Sequence, residues 1–346
     1  MAFLYTELTH SFADRFSLSA GLRMSVAPML GPATVFSYAD RGRDIVTDTT
    51  TYSSGEIVKS NMGLEPRLGL SFNIADWVTA KASYARTKQY QHLLTHSALS
   101  LPTDIWAPAD SYAKPQTSNA IAIGLHTRFA RTAIEASVEA YMKWTDDLVD
   151  FKDGADLKMN PHYETQLLSG RGYARGVELM LRRDSASYAF SLAYTLSKAE
   201  RRIDGVNGGR WYYERFDQRH NQPLSATYRP SAIVDLSAVF RNHTGGRTTL
   251  PEGYFFFAGA TFGNCTERNG YVMDDFHRLD VSADFHLREH QRWSHLLLFA
   301  VANVYGRKNP YSMYTKGDFW DRGKVNLYKL HLYRWLPSLT YVFRLK

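Results

Sequence analysis

The feature that most constrains this chain is a period-2 alternation of apolar and polar residues, carried in short runs joined by turns that are alternately very short and very long. Phe16, Leu18, Ala20, Leu22 and Met24 alternate with Ser17, Ser19, Gly21, Arg23 and Ser25, and the pattern returns at 134–144, 188–197, 279–288 and 339–345. Such alternation means strands with one apolar and one polar face. Turns such as 11–15, 73–76, 130–132 and 183–187 alternate with connections far longer than the usual loop. Strands of about ten residues, tight turns at one end and long loops at the other describe a transmembrane antiparallel β-barrel of the outer-membrane type.

Composition bounds the alternatives. No stretch of the 346 residues approaches the ~20 apolar residues of a membrane-crossing helix. A barrel wall needs only every second residue to meet lipid, so a mildly polar mean hydropathy is what it predicts. Aromatics reach 14% of the chain, with Tyr 22 and Phe 19, which suits girdles at the two membrane interfaces. A soluble β-sandwich or propeller also alternates, but it has no reason to segregate long and short connections to opposite ends. The net charge of +7 is spread among acidic residues rather than clustered, so nucleic acid is not an expected partner. Rim and lumen positions of a barrel accommodate such charge, and rim Arg and Lys can meet lipopolysaccharide phosphates. The single cysteine, Cys265, has neither a disulfide partner nor metal-ligand company.

The alternation predicts about 13 strands, near 2–10, 15–25, 64–74, 77–86, 119–129, 133–144, 171–183, 187–197, 222–229, 232–242, 277–288, 295–305 and 336–346. The twelfth is expected to extend toward 316, and Lys324–Tyr333 to carry a further strand extension beyond the membrane. The pleat assigns Ile134, Ala136, Val138, Ala140, Met142 and Trp144 to lipid, and Glu135, Ser137, Glu139, Tyr141 and Lys143 to the lumen. Asp280, Ser282, Asp284, His286 and Arg288 form an inward row so polar that the lumen must be wet. The first and last strands both run toward the short-turn side, giving an odd count where single-chain bacterial barrels have an even one. The opening residues MAFLYTELTH also lack the features of a secretory signal. Both observations lead to the expectation that residues 1–346 are the C-terminal portion of a larger barrel.

Several segments carry a family likeness. They include SYARTKQYQHLL (83–94) with PTDIWAP (102–108), GRGYARGVELMLRR (170–183), and YTLSKAER (194–201) with NGGRWYYERFDQRHN (207–221). FHRLDVSADF (276–285), NVYGRKNPYSMY (303–314) and LPSLTYVFRLK (336–346) follow in order. In this order the chain resembles the C-terminal barrel region of TonB-dependent outer-membrane receptors, of the type common in Bacteroidetes. The resemblance implies a 22-stranded barrel in the bacterial cell outer membrane, of which this chain supplies strands ten to twenty-two. It further implies an N-terminal plug domain, a TonB box and a TonB complex that energises uptake of a scarce ligand of the siderophore, cobalamin or glycan class. A surface lipoprotein partner, as glycan-importing relatives have, stays open. The part present here is expected not to transport alone. A self-contained passive channel of about 14 strands is the alternative.

For ligand contact, the expected residues are aromatic and lie in the long connections: Trp106, Trp211, Tyr212 and Tyr213. Such rings give large, rigid contact area with a polar handle. No catalytic set, metal site or cofactor is expected. Arg215, Asp217, Arg219 and His220 read as a charge network anchoring a loop. Asp146 and Asp147, adjacent on one strand, are poorly placed to share a proton. The Gly pairs at 208–209 and 245–246 read as turns, not phosphate cradles.

Overall fold

The computed structural model describes residues 1–13, 15–39, 45–94, 104–155, 157, 160–257, 260–265, 267–289, 292–317 and 324–345. Thirteen consecutive antiparallel strands form one continuous wall. Numbering wall strands only, they are β1 (Ala2–Phe12), β2 (Phe16–Leu30), β3 (Ile57–Ala75), β4 (Val78–Gln89), β5 (Gln116–Phe129), β6 (Ile134–Phe151) and β7 (Leu167–Asp184). Then come β8 (Tyr188–Ile203), β9 (His220–Ser231), β10 (Val234–His243), β11 (Phe276–Glu289), β12 (Trp293–Ala302) and β13 (Leu336–Leu345). Within the wall each pairs with its neighbours in wall order, β8 pairs in addition with the short loop strand Tyr212–Tyr213, and among the described residues β1 does not close onto β13. Among the described residues no helix is long and apolar enough to cross a membrane.

Register explains the alternation. Leu18, Leu70, Ala82, Ile123, Ala140, Val177 and Leu196 are successive cross-strand neighbours, an unbroken apolar row across seven strands. The row one residue away reads Ser17, Ser71, Lys81, Gly124, Glu139, Glu178 and Thr195. A slip of one residue would exchange the two rows completely, so register is strongly specified. The first row meets lipid and the second the lumen. At the short-turn end the lipid face carries aromatics: Trp77 stacks on Phe129 with ring centroids 5.3 Å apart, Phe12 lies 5.8 Å from Phe16, and Tyr188 pairs across from Tyr228. At the other end Tyr84, Trp144 and Tyr173 occupy the same face. Ring girdles at both interfaces fix the depth of the wall.

All 13 expected strands are present, with two corrections. Strands extend further on the long-loop side than alternation indicates: β6 runs past Trp144 to Phe151 through a bulge at Asp146/Leu148, where Asp147 takes the left-handed conformation at φ 58°. Such a bulge bends and twists a strand at a barrel rim. The expected extension of β12 toward 316 does not exist. The chain leaves the wall after Ala302 because Asn303 turns at φ 56° and is pinned, its backbone N–H donating to Asp280 Oδ1 at 2.8 Å. Ser312–Gly317 pairs with Val325–Leu330 as a hairpin within the last long loop, so the Lys324–Tyr333 strand belongs to that hairpin and not to the wall.

Adjacent residues of β5 test the faces. Ile123→Arg puts a guanidinium into the bilayer midplane and is expected to cost about 2–4 kcal/mol, whereas Ala122→Arg on the lumen face should be tolerated. The heat-modifiable, assembled fraction of the outer-membrane protein measures both. Equal losses for the two variants would refute the facing.

Candidate functional site: the outer loop collar

Six long connections leave the same end of the wall, and four of them fold back as short hairpins. They pack on one another rather than standing free. Leu94, Ala107 and Ala113 of the second loop bury against Leu157 of the third and Leu167 at the start of β7. Ile203, Val206 and Tyr212 form another cluster under the fourth loop, with Leu148 and Leu168 against it. Apolar contact between loops makes a collar with its own core.

Charge then locks the collar. Asp150, buried near the end of β6, accepts from Arg201 Nη1 at 3.1 Å, Tyr212 Oη at 2.8 Å and Arg268 Nη1 at 2.6 Å. Arg201 belongs to the lumen-facing row of β8 and also pairs with Glu214. Arg268, from the fifth loop, donates to the Phe151 carbonyl at 2.9 Å, pairs with Asp153, and lies over the Phe151 ring at 4.8 Å. Its backbone N–H donates to Asn207 Oδ1 at 2.8 Å, and Asn207 donates back to the Arg268 carbonyl. Strand β8 and two loops therefore converge on one carboxylate. Burial, then the Asp150 charge, push the Tyr212 phenol above its ordinary range, keeping it a protonated donor. A second knot ties the first loop to the third: Tyr38 donates to Glu164 at 2.8 Å and sits 3.1 Å from His162. Burial pushes the neighbouring Tyr163 phenol up to about 12, with Asp110 and Glu164 adding to it.

The four expected ligand aromatics are placed differently from one another. Trp106, on the strand Ile105–Pro108, is 65% exposed, and Trp211 is 48% exposed. They lie in separate loops and, among the described residues, make no ring contact. Tyr212 is buried inside the Asp150 network, its hydroxyl already engaged. Tyr213, paired across from Glu200 rather than Arg201, points the other way, and Arg247 covers its ring at 3.8 Å. The Arg215–His220 segment behaves as an anchor: buried Asp217 accepts from the Ala199 N–H at 2.8 Å and faces Arg247 at 3.8 Å. Asp146 pairs with Arg171 at 3.4 Å. Gly208 and Gly209 turn at φ 65° and 69°, but Gly245 is small for another reason: a Cβ there would overlap the Met273 carbonyl.

One exposed aromatic group was missed. The hairpin Gly253–Phe257/Ala260–Asn264 sets Phe255 opposite Phe262, stacked at 5.7 Å, and Phe257 shares their face. All three are exposed. The run YFFF at 254–257 carried that signal within the sequence. Among the described residues no group of three or more His, Cys, Asp or Glu side chains is arranged to hold a metal.

The family model described as TonB dependent receptor-like, beta-barrel matches residues 2–304. No curated protein sequence matches the chain. Among solved structures, the ferric-catecholate import receptor Fiu of Escherichia coli K12 in its closed form shares 15% identity at TM-score 0.59, covering 98% of this chain and 44% of Fiu. The ferripyoverdine receptor of Pseudomonas aeruginosa shares 13% identity at TM-score 0.60, over 99% and 38%. The ferric yersiniabactin uptake receptor FyuA of Yersinia pestis shares 15% at TM-score 0.60, over 99% and 45%. The chain thus spans less than half the length of these receptors.

Asp150→Ala leaves Arg201 and Arg268 without their shared acceptor, and breaking a buried pair of this kind costs about 3–5 kcal/mol. Hydrogen exchange should show faster opening at 204–213 and 267–270 with the wall amides unchanged. Unaltered protection at Arg268 and Asn269 would show that the carboxylate does not hold the loops.

Proposed function

The chain belongs to the TonB-dependent receptor β-barrel family of the bacterial outer membrane, and from that premise we propose that it forms the C-terminal wall and mouth of an energised importer. In this reading upstream strands complete the thirteen, a plug domain closes the lumen, and the TonB complex acts through the plug's end of the protein. Among the described residues the outer edges of β1 and β13 have no strand partner, which supports this reading. A self-contained passive channel would need those edges closed. Residues 1–346 alone then bind without transporting.

The observation that carries the receptor reading is the collar: loops pre-packed around Asp150, presenting exposed rings above a polar lumen. Preorganised loops lower the entropy lost when a ligand docks. Trp106 and Trp211 are the proposed ligand contacts, together with the exposed rings Phe255, Phe257 and Phe262 of the fifth loop. Tyr212 supports from behind and Tyr213 presents Arg247. The substrate is a scarce nutrient of the siderophore, cobalamin or glycan class. Ferric chelates are the first to test, because flat aromatic chelating groups stack on indole and anionic ones pair with guanidinium. Three structural neighbours are named as ferric chelate receptors. A surface lipoprotein remains a partner only if the ligand proves to be a glycan.

Uptake by the natural full-length protein should require TonB and a proton gradient; uptake that persists without them would establish a passive pore instead. Trp106→Ala and Trp211→Ala should each weaken ligand binding by about five- to thirtyfold, as contact aromatics do. Two variants with wild-type affinity would move the site elsewhere in the collar.

A further inference from the structure

A cavity of about 460 Å³ opens at the mouth of the lumen, beneath the second-loop hairpin of Gln91–Leu94 and Ile105–Pro108. Its wall is made by the outer ends of β2, β3 and β4, where Ala27 and Asn61 are register partners in the lumen-facing row. That volume falls within the range of about 300–1,000 Å³ usual for small-molecule sites. Trp106, exposed on the hairpin, forms one side.

The surrounding bonds fix this cavity. Tyr90, buried just past β4, lies with its hydroxyl 2.7 Å from Ser25 Oγ, and Ser25 donates to buried Glu65 at 2.9 Å. Gly63 leaves room for this, since a Cβ there would overlap the Tyr90 hydroxyl. The Ala109 N–H donates to the Tyr90 carbonyl at 2.8 Å, and Asn61 Nδ2 donates to the Ala109 carbonyl at 2.7 Å. These bonds hold the hairpin, and with it the Trp106 ring, against the wall. The lining itself is close to neutral. It holds no carboxylate and no guanidinium, and its one lysine, Lys88, already donates to the Met62 carbonyl at 3.1 Å. The polar groups left to meet a ligand are amides. Gln89 Nε2 donates to the Gln91 carbonyl at 2.7 Å, but Asn61 Oδ1, Gln89 Oε1 and the Gln91 side chain have no hydrogen-bond partner among the described residues.

We propose that this cavity is a saccharide subsite, taking a neutral pyranose unit of the ligand. A sugar ring has an apolar C–H face and a rim of hydroxyls. The face stacks on the Trp106 indole, a large and rigid apolar surface. The hydroxyls meet side-chain amides, which both donate and accept and so suit groups that do the same. A bare anionic chelate finds no guanidinium here, so the site selects hydroxyls over charge. The sugar has two possible sources, a free glycan or a ferric chelate that carries sugar, and the recognition chemistry is common to both. The inference rests on the receptor reading above for the ligand's onward route, and not for the binding itself.

The test titrates the natural full-length protein in detergent, by calorimetry, with neutral tetrasaccharides of glucose, mannose, galactose and xylose. A ferric tris-catecholate and the same chelate carrying glucose are the other probes. Either a tetrasaccharide binds, or the glucosylated chelate binds more tightly than the plain one. W106A should weaken that binding about five- to thirtyfold, and Q91L about two- to tenfold. W106F, which keeps an aromatic face, should lose less than W106A. Heat-modifiable mobility reports the folding of each variant, and Q91L serves if W106A does not assemble. Tetrasaccharide binding assigns the site to a free glycan; a preference for the glucosylated chelate alone assigns it to a sugar-bearing chelate. No tetrasaccharide binding together with equal affinity for the two chelates would overturn the proposal, as would saccharide binding that neither variant alters. Uptake without TonB would instead sink the importer reading and leave the subsite standing.

Discussion

Everything in this structure depends on one requirement: inside a bilayer each backbone N–H and C=O must be satisfied by another backbone group, because water is absent. The wall meets it with an unbroken antiparallel ladder from β1 to β13. The ladder then dictates the sequence. With strands locked in register, each alternate residue must suit hydrocarbon and each intervening one must suit water. That is why Glu139 and Glu178 can face each other on the lumen side while Ala140 and Val177, one residue away, are apolar. The girdles are further layers on the same pleat, set by depth in the membrane.

Above the membrane the constraint lapses and a different logic governs. Loops that meet water on all sides would ordinarily be mobile. Here two small apolar clusters and the Asp150 network hold them in a fixed collar. The cost of burying Asp150 is offset by three donors from three separate segments, an arrangement that fixes geometry more than it adds stability. Binding surface is thereby made rigid on a scaffold whose own face is smooth.

Legibility in the sequence follows this division. Strand number and facing could be read because the pleat forces alternation wherever lipid and lumen lie on opposite sides. The outer ends could not, since beyond the bilayer both faces of β6 meet polar surroundings and the pattern fades before Phe151. Asn303 ends β12 through a left-handed turn, strand-end chemistry that asparagine itself signals, while the apolar run Leu296–Val301 alone suggested a longer strand. The collar was legible as aromatic content and as the Arg215–His220 charge network, but not as the Asp150 knot. Tyr212 and Tyr213 are neighbours in sequence, yet one is interior and the other stacked under Arg247, a distinction set by Arg201, Arg268 and Asp150 far apart in the chain. The family likeness rested on motifs from nearly the whole chain, and the family model matching residues 2–304 agrees with it.

The central claim is that one residue row of this wall meets lipid and the adjacent row meets the lumen of an outer-membrane barrel. A nitroxide scan of Ser118–Thr127 in the membrane-embedded protein, with Cys265 replaced, tests it most directly. Collision with oxygen should be high at Ile121, Ile123 and Leu125 and low at Ala120, Ala122 and Gly124. A flat profile, or one with the opposite phase, would contradict the account.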